Sequence, residues 1–396
     1  MIRSNMCINS HPQGCAADVK HQIDYVLKKR AERGTPKDAP KTALILGCST
    51  GYGLASRIAI AFGYNATTIG VSFEKEGADE PRQKPGTPGW YNNMAFDKHA
   101  KEHGLESVTF NGDAFSHDMR KNVIDTLNKM GKKIDLLIYS VASAVRVDPD
   151  NGTLYRSVLK PIGKDFSGET FDCMNGKIST INATPATDEE IANTAKVMGG
   201  EDWSLWVKQL KDAGVLAEGC KTIAYSYIGP SISHAIYRDG TIGNAKKHLE
   251  ATALELHAEM QKDLKGEAYV SVNKGVVTRS SAVIPIIPMY ISVLFKVMKE
   301  RGTHEGCIEQ MERLMNERIY TGAEIPTDEN HRIRIDEYEL DPKVQEEVSK
   351  RMATITQENL TEVGDLEAYR HDFLASNGFD IEGVDYDADV ASMINI

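Results

Sequence analysis

Apolar residues in this chain fall into short unbroken runs separated by longer stretches of helical periodicity. The first strong run, residues 42–48 (TALILGC), predicts a strand buried on both faces. A glycine turn follows it, then an apolar helical pattern through Ile58 and Ala61. Further strands are predicted at 68–73, 107–110, 134–142, 221–229 and 268–272. Helical patterns lie between them: from Gly89 (GWYNNMAFDKHAKEHG), up to about Met130, and from about Thr241. Strands alternating with helices imply βαβ units, and right-handed crossovers then give a doubly wound parallel α/β sheet. Residues 28–40 (KKRAERGTPKDAP) read as a connector into the first strand. Residues 146–220 break the rhythm with turn-rich polar sequence, then two short helices at 188–198 and 203–211. The last third is mainly helical, with segments at 288–301, 305–318 and 342–352, and it closes on the acidic, turn-like GFDIEGVDYDADV.

Composition narrows the class. The 396 residues are 41% hydrophobic, enough for a sizeable core, so low-complexity disorder is excluded for most of the chain. A net charge of −11 argues against a general binder of nucleic acid or anionic membrane. The longest apolar stretch, residues 282–295, contains Pro285 and Pro288 and falls short of the ~20 residues a membrane-spanning helix needs. The N-terminus carries no apolar run of signal-peptide type. Six scattered cysteines form no CxxC pair, and the histidines show no HExxH, so neither a disulfide framework nor a metal site is expected. These features predict a soluble cytoplasmic protein.

Candidate chemistry begins at the turn after the first strand. GCSTGYG, spanning Gly47, Cys48, Ser49, Thr50, Gly51, Tyr52 and Gly53, has the spacing G-x3-G-x-G. Small residues there let backbone approach a pyrophosphate, and the following helix offers unpaired N–H groups at its positive end. Ser49 and Thr50 add hydroxyls. Glu74 lies 21 residues beyond Gly53, at the end of the second strand. A carboxylate there accepts from ribose hydroxyls and repels a 2′-phosphate, favouring NADH over NADPH, with Lys75 softening the discrimination. Asp113 and Ala114 follow the third strand, where an acid and an adjacent N–H suit an adenine ring; an N-cap is the competing reading of Asp113. Ser140, Val141 and Ala142 end the fourth strand beside the expected nicotinamide ribose.

Eight residues separate Tyr237 from Lys246 in IYRDGTIGNAK. A tyrosine hydroxyl can serve as an acid, and a nearby ammonium favours its ionised form. Asp239–Gly240 predicts a turn that leaves Tyr237 before a helix and Lys246 within its first two turns. Tyr227 closes a buried strand on the carboxyl edge of the sheet, where ligands sit in open α/β folds. The competing reading of Tyr227 is a core tyrosine.

The motifs HPQGC, GCSTGYGLASR, GVSFE, GTPGWYNN, NGDAFS, VMGGEDW, AYSYIGP, IYRDGTIGNAK, SVNKGVVTRSSAVIP, HEGCIEQM and GVDYDADV occur in order along the chain. Together they resemble the trans-2-enoyl-CoA reductase / FabV-type enoyl-acyl-carrier-protein reductase family over roughly residues 5–390. The resemblance implies an extended Rossmann-like fold of short-chain dehydrogenase/reductase type, with additional helices over the active site. It implies NADH-dependent reduction of the C2–C3 bond of an enoyl thioester, and often a monomer. It implies catalytic roles for Tyr237, Lys246 and Tyr227, the last also contacting substrate, and cofactor contacts at Gly275, Val276, Val277 and Thr278 as well as at the turn, Glu74, Asp113, Ala114, Val141, Ala142 and Lys246. An acyl-CoA is the expected partner, with acyl-carrier protein the alternative, since an acidic chain repels an acidic carrier. A basic cluster at Lys296, Lys299 and Arg301 suits either, with a solvated helix face as its plain explanation. Ala144 stands where the family usually has proline, which loosens the loop carrying Val141 and Ala142. The expected organisation is a single elaborated dinucleotide-binding domain over 1–396: a first cofactor-binding half at 42–145, an insertion at 146–220, a catalytic and substrate-covering part at 221–300, and a mainly helical part at 301–396.

Overall fold

A computed structural model describes residues 2–3, 6–80, 83–278 and 281–393. Arg279 and Ser280, which belong to the SVNKGVVTRSSAVIP motif, lie outside the described residues. The main sheet has seven parallel strands: β1 (Thr42–Leu46), β2 (Thr67–Ser72), β3 (Ser107–Asn111), β4 (Ile134–Tyr139), β5 (Leu216–Ser226), β6 (Glu267–Val272) and β7 (Arg332–Arg334). Their order is β7-β6-β5-β4-β1-β2-β3. The chain winds outward from β1 to β3, returns to β4 beside β1, and winds the other way. The reversal between β1 and β4 opens a crevice at the carboxyl ends of those strands.

β1 shows why an unbroken apolar run was needed. Ala43 and Ile45 pack into the core on one face, and Leu44 and Leu46 into the core on the other. The first face is covered by α1 (Pro12–Arg33), α2 (Gly51–Tyr64), α3 (Pro88–Glu102) and, further along the chain, Ile308, Met311 and Leu314. The second is covered by α4 (His117–Met130), by Trp203, Trp206, Val207 and Leu210, and by Leu249, Ala253, Leu256 and Met260. Those residues belong to α6 (Glu201–Asp212) and α7 (Thr241–Leu264), which with α5 (Asp188–Met198) follow the predicted helical segments. A third cluster joins α8 (Ile287–Glu300) to α9 (Pro342–Met352) and α10 (Leu366–Ala375). The predicted doubly wound α/β sheet is therefore present. No helix among the described residues is long and apolar enough to cross a membrane.

Several elements differ from the sequence reading. Residues 28–33 belong to α1 and are not connector; the helix ends at Gly34, whose φ of 78° closes it. Its buried stripe (Val19, Ile23, Val26) is thin and hidden among charged neighbours. Residues 146–220 contain two antiparallel hairpins, Val145–Val147 with Leu154–Arg156 and Phe166–Phe171 with Ile178–Ala183. β7 was not expected: its three residues carry two arginines, whose guanidinium groups pair with Asp328, Asp336 and Glu250. The strand predicted at 134–142 stops at Tyr139, because its pairing with both β1 and β5 ends there.

Candidate active site

The turn after β1 is built by glycine. Gly47 has φ of 83°, and a Cβ on it would stand 2.3 Å from the Ser140 carbonyl oxygen. A Cβ on Gly53 would stand 1.8 Å from the Gly47 carbonyl oxygen. Backbone therefore packs directly on backbone where β1, α2 and the end of β4 meet. Thr50 is the N-cap of α2, and its side chain makes no capping bond. The first turn of this 14-residue helix thus keeps N–H groups that suit an anion. The donors and small residues fit a dinucleotide pyrophosphate.

The rest of the turn is used differently from the sequence expectation. The Ser49 hydroxyl donates to Glu74 Oε1 at 2.5 Å and not toward the open crevice. Cys48 is buried, burial pushes its thiol up, and its N–H donates to the Val71 carbonyl at 3.2 Å. Tyr52 lines the crevice and donates its hydroxyl to the Lys274 carbonyl. Glu74 also accepts from Thr87 Oγ1 at 2.5 Å, and Asn111 clasps its backbone with bonds of 2.8 and 3.0 Å. Thr87 and Asn111 went unnoticed as site residues, although Thr87 opens into the GTPGWYNN motif. Lys75 is exposed beside them. Asp113 accepts from the Phe115 N–H at 2.9 Å, while Ser116 is the N-cap of α4, so the capping reading of Asp113 is replaced. The Ala114 carbonyl accepts from Trp206 Nε1 at 3.0 Å.

One cleft with about 1120 Å³ of atom-free space, partly open to solvent, gathers the other candidates. Thr50, Gly51, Tyr52, Val141, Ala142, Tyr227, Tyr237, Lys246, Gly275, Val276 and Thr278 all line it. Gly47, Cys48, Ser49, Glu74, Lys75, Asp113, Ala114 and Val277 do not. Ile284, Ile287 and Ile291 from the predicted apolar run form one wall. Pro285 and Pro288 bracket Ile286, the N-cap of α8, which has φ of 65°. Of the basic cluster, Lys299 pairs with Asp365, while Lys296 donates to the neutral Glu362 carbonyl and keeps its charge.

Tyr237 sits in a turn held at both ends. Its N–H donates to the Ser233 carbonyl, and its carbonyl accepts from Gly240 and Gly243 at 3.2 and 2.9 Å. Side chains on these glycines would strike the Ile236 and Arg238 carbonyls. The turn explains the eight-residue spacing: Tyr237 precedes α7, and Lys246 is the sixth residue of that helix. The Tyr237 hydroxyl has no hydrogen-bond partner among the described residues and faces the cleft. Burial pushes it up to about 12, so it stays protonated at neutral pH. The expected lowering by Lys246 is not found, because Lys246 Nζ donates to the Tyr225 carbonyl at 3.0 Å. Although part of this side chain touches the open cleft, its ammonium is enclosed by protein, and burial pulls it down to about 8, with Glu250 opposing.

Tyr227 packs edge-on against Tyr237, with ring centroids 5.3 Å apart. Its hydroxyl donates to Glu339 Oε1 at 2.9 Å. The sequence reading placed that hydrogen on the substrate; the structure places it on a buried carboxylate. Glu339 gave no signal in the sequence, since one of the four acids in DEYELDP matches no motif. No cluster of three or more His, Cys, Asp or Glu side chains suited to a metal occurs among the described residues.

Comparison with known proteins bears on this cleft. A family profile described as trans-2-enoyl-CoA reductase catalytic region matches residues 84–320, and one described as its NAD(P)H binding domain matches 1–79. The trans-2-enoyl-CoA reductase [NADH] of Treponema denticola is 58% identical over 98% of this chain and 97% of its own length. Its crystal structure in complex with NAD superposes with a TM-score of 0.94 over the same shares of the two chains. The enoyl-[acyl-carrier-protein] reductase [NADH] of Flavobacterium psychrophilum is 51% identical over 100% of this chain and 98% of its own length. A third profile, described as an enoyl reductase FAD binding domain, matches residues 327–390. The residues there do not fit a flavin. Both longer helices of the segment begin at aspartates, Asp341 and Asp365, that already take the N–H groups a pyrophosphate would need. The cavity touching α10 is also lined by Thr50, Gly51 and Thr278, so it is continuous with the phosphate turn already described and offers no separate flavin site. Glycine-built phosphate turn, tyrosine and lysine on one cleft, and matches along nearly the whole length agree: the chain belongs to the trans-2-enoyl-CoA reductase family.

Proposed function

We propose that this chain reduces the C2–C3 double bond of a trans-2-enoyl-CoA such as crotonyl-CoA, using NADH in preference to NADPH. NADH, when bound, supplies the hydride to Cβ of the thioester. The observation that carries the reading is the meeting of the phosphate turn (Thr50, Gly51) and the pair Tyr237 and Lys246 on one cleft. The N–H groups at the start of α2 hold the pyrophosphate. Glu74, already oriented by Ser49 and Thr87, takes the adenosine ribose hydroxyls and repels a 2′-phosphate. Asp113 and Ala114 flank the adenine. Val141, Ala142 and the 275–278 segment flank the nicotinamide side.

Negative charge grows on the thioester oxygen as hydride arrives. Tyr237, protonated and without another partner among the described residues, donates to that oxygen as the charge develops. Lys246 orients the cofactor ribose and the tyrosine. Cα then takes a proton from Tyr237 or from solvent relayed through it. Ile284, Ile287 and Ile291 cover the acyl chain and exclude water. We read the chain as one elaborated dinucleotide-binding domain acting as a cytoplasmic monomer.

The carrier-protein reading is the alternative, favoured by the name of the Flavobacterium relative. The net charge of −11 weighs against it, and so does the ion pair of Lys299 with Asp365. NADH oxidation followed with crotonyl-CoA, with crotonyl-acyl-carrier protein, and with a Tyr237→Phe variant tests all of this. Rapid turnover of the CoA ester, lost in the variant, is expected. Turnover of the carrier-bound substrate alone sinks the CoA reading, and a near-normal kcat in Tyr237→Phe sinks the tyrosine assignment.

A further inference from the structure

Glu339 follows β7 in sequence, 112 residues from Tyr227, and is completely buried. Its Oε1 accepts from the Tyr227 hydroxyl at 2.9 Å and from the Tyr290 hydroxyl at 2.7 Å. Its Oε2 accepts from the Gly275 N–H at 2.6 Å. Gln345 Nε2 donates to the Tyr290 oxygen at 3.0 Å and to the Glu339 carbonyl at 2.6 Å, fixing the far side. Lys274 shares the enclosure; its buried Nζ donates to the carbonyls of Gly275 and Glu305 at 2.9 and 3.2 Å. Burial pushes the Glu339 carboxyl up, and the Lys274 charge opposes that push.

Glu339 satisfies three donors that would otherwise be unpaired at this corner, which stabilises it. Donor counting shows a consequence for the cleft. A tyrosine hydroxyl has one hydrogen and two lone pairs. With its hydrogen on Glu339, Tyr227 offers the cleft only its oxygen lone pairs and its ring. Tyr237, 5.3 Å away between ring centroids, keeps its hydrogen. Gly275, held by the same carboxylate, lines the cleft too.

We propose that Glu339 is a positioning residue of the active site: it takes the Tyr227 hydroxyl hydrogen and the Gly275 amide, so that of the two adjacent tyrosines Tyr237 alone donates to the thioester oxygen. This rests on the reading of Tyr237 as the donor. Releasing Tyr227 lets its hydroxyl turn into the cleft and compete for Tyr237 or for the substrate oxygen.

The test is a double-mutant cycle with crotonyl-CoA and NADH. Glu339→Gln keeps the side-chain length but replaces one carboxylate oxygen by an NH2 donor, so two hydroxyl hydrogens and the Gly275 N–H can no longer all be accepted. Glu339→Asp keeps the charge opposite Lys274 and shortens the reach. Each is expected to lower kcat about tenfold with KM changed less than about threefold, and to lose less than about twofold in a Tyr227→Phe background. Equal losses in both backgrounds, or unchanged kcat, would overturn the proposal. Tyr227→Phe alone, which does not depend on the folding of the Glu339 variants, is expected to keep kcat within about fivefold. A loss there as large as in Tyr237→Phe would mean that the Tyr227 hydrogen acts on the substrate, which also overturns it. Full activity in Tyr237→Phe would instead remove the underlying reading of the donor.

Discussion

The two halves of the cleft are held by different forces. The phosphate turn is fixed by backbone against backbone: Gly47, Gly53 and the Ser140 carbonyl touch where no Cβ fits. Beside the glycine turn that carries Tyr237, the corner around Tyr227 is fixed by side chains from distant segments, with Tyr227, Gly275, Tyr290 and Glu339 joined through one carboxylate. A backbone-built site has few tolerable substitutions, and its failure costs fold and cofactor binding together. A side-chain network tolerates conservative change, and its failure shows first in rate.

Gly53→Ala is the sharpest way to break the first half. A methyl 1.8 Å from the Gly47 oxygen forces the turn apart, and a loss of about 3 kcal/mol or more is expected, with NADH binding abolished. Thermal unfolding and fluorescence titration with NADH measure it; a stable variant that binds NADH normally would remove the contrast. Tyr237→Phe breaks the second half without touching the first. A kcat loss of roughly 100-fold or more is expected, with unchanged melting temperature and NADH affinity. Next in size is the pH response of Lys246. Its ammonium is lost as pH rises through about 8, so kcat/KM should fall above that point by up to about tenfold per unit, and Lys246→Arg should move the falling limb to higher pH. A flat profile from neutral pH to 10 would separate Lys246 from function. Glu74→Ala should narrow the preference for NADH over NADPH by roughly tenfold, read as the ratio of kcat/KM values. The smallest change is expected from Thr87→Ala, which removes one of two hydroxyls holding Glu74: about 1 kcal/mol, seen mainly in KM for NADH.

The turn and its sheet were readable because their signals are local. The run at 42–48, the glycine spacing and the turn at Asp239–Gly240 each lie within a few residues of what they build. What was missed lacks that property. α1 buries only a thin apolar stripe under charged neighbours. β7 reads as arginine-rich because ion pairs from Asp328, Asp336 and Glu250 neutralise it, and a strand of three residues leaves no period to detect. Ser49 looked like a phosphate ligand by position, yet its hydroxyl turns to Glu74. Tyr227 lines the cleft, and the fold brings its hydroxyl to Glu339, which no local signal around Tyr227 announces.

Order along the chain settled the sheet, the crevice at its reversal and the family, because apolar period and motif sequence are one-dimensional properties. The direction of each hydroxyl hydrogen is not. Whether Tyr227 donates to a substrate or to Glu339, and whether Lys246 lowers Tyr237 or bonds the Tyr225 carbonyl, depends on burial and on which acceptor the fold carries to within hydrogen-bond distance. Those partners lie 112 and 21 residues away. Only the packed tertiary structure brings them together, and desolvation then decides which proton stays where.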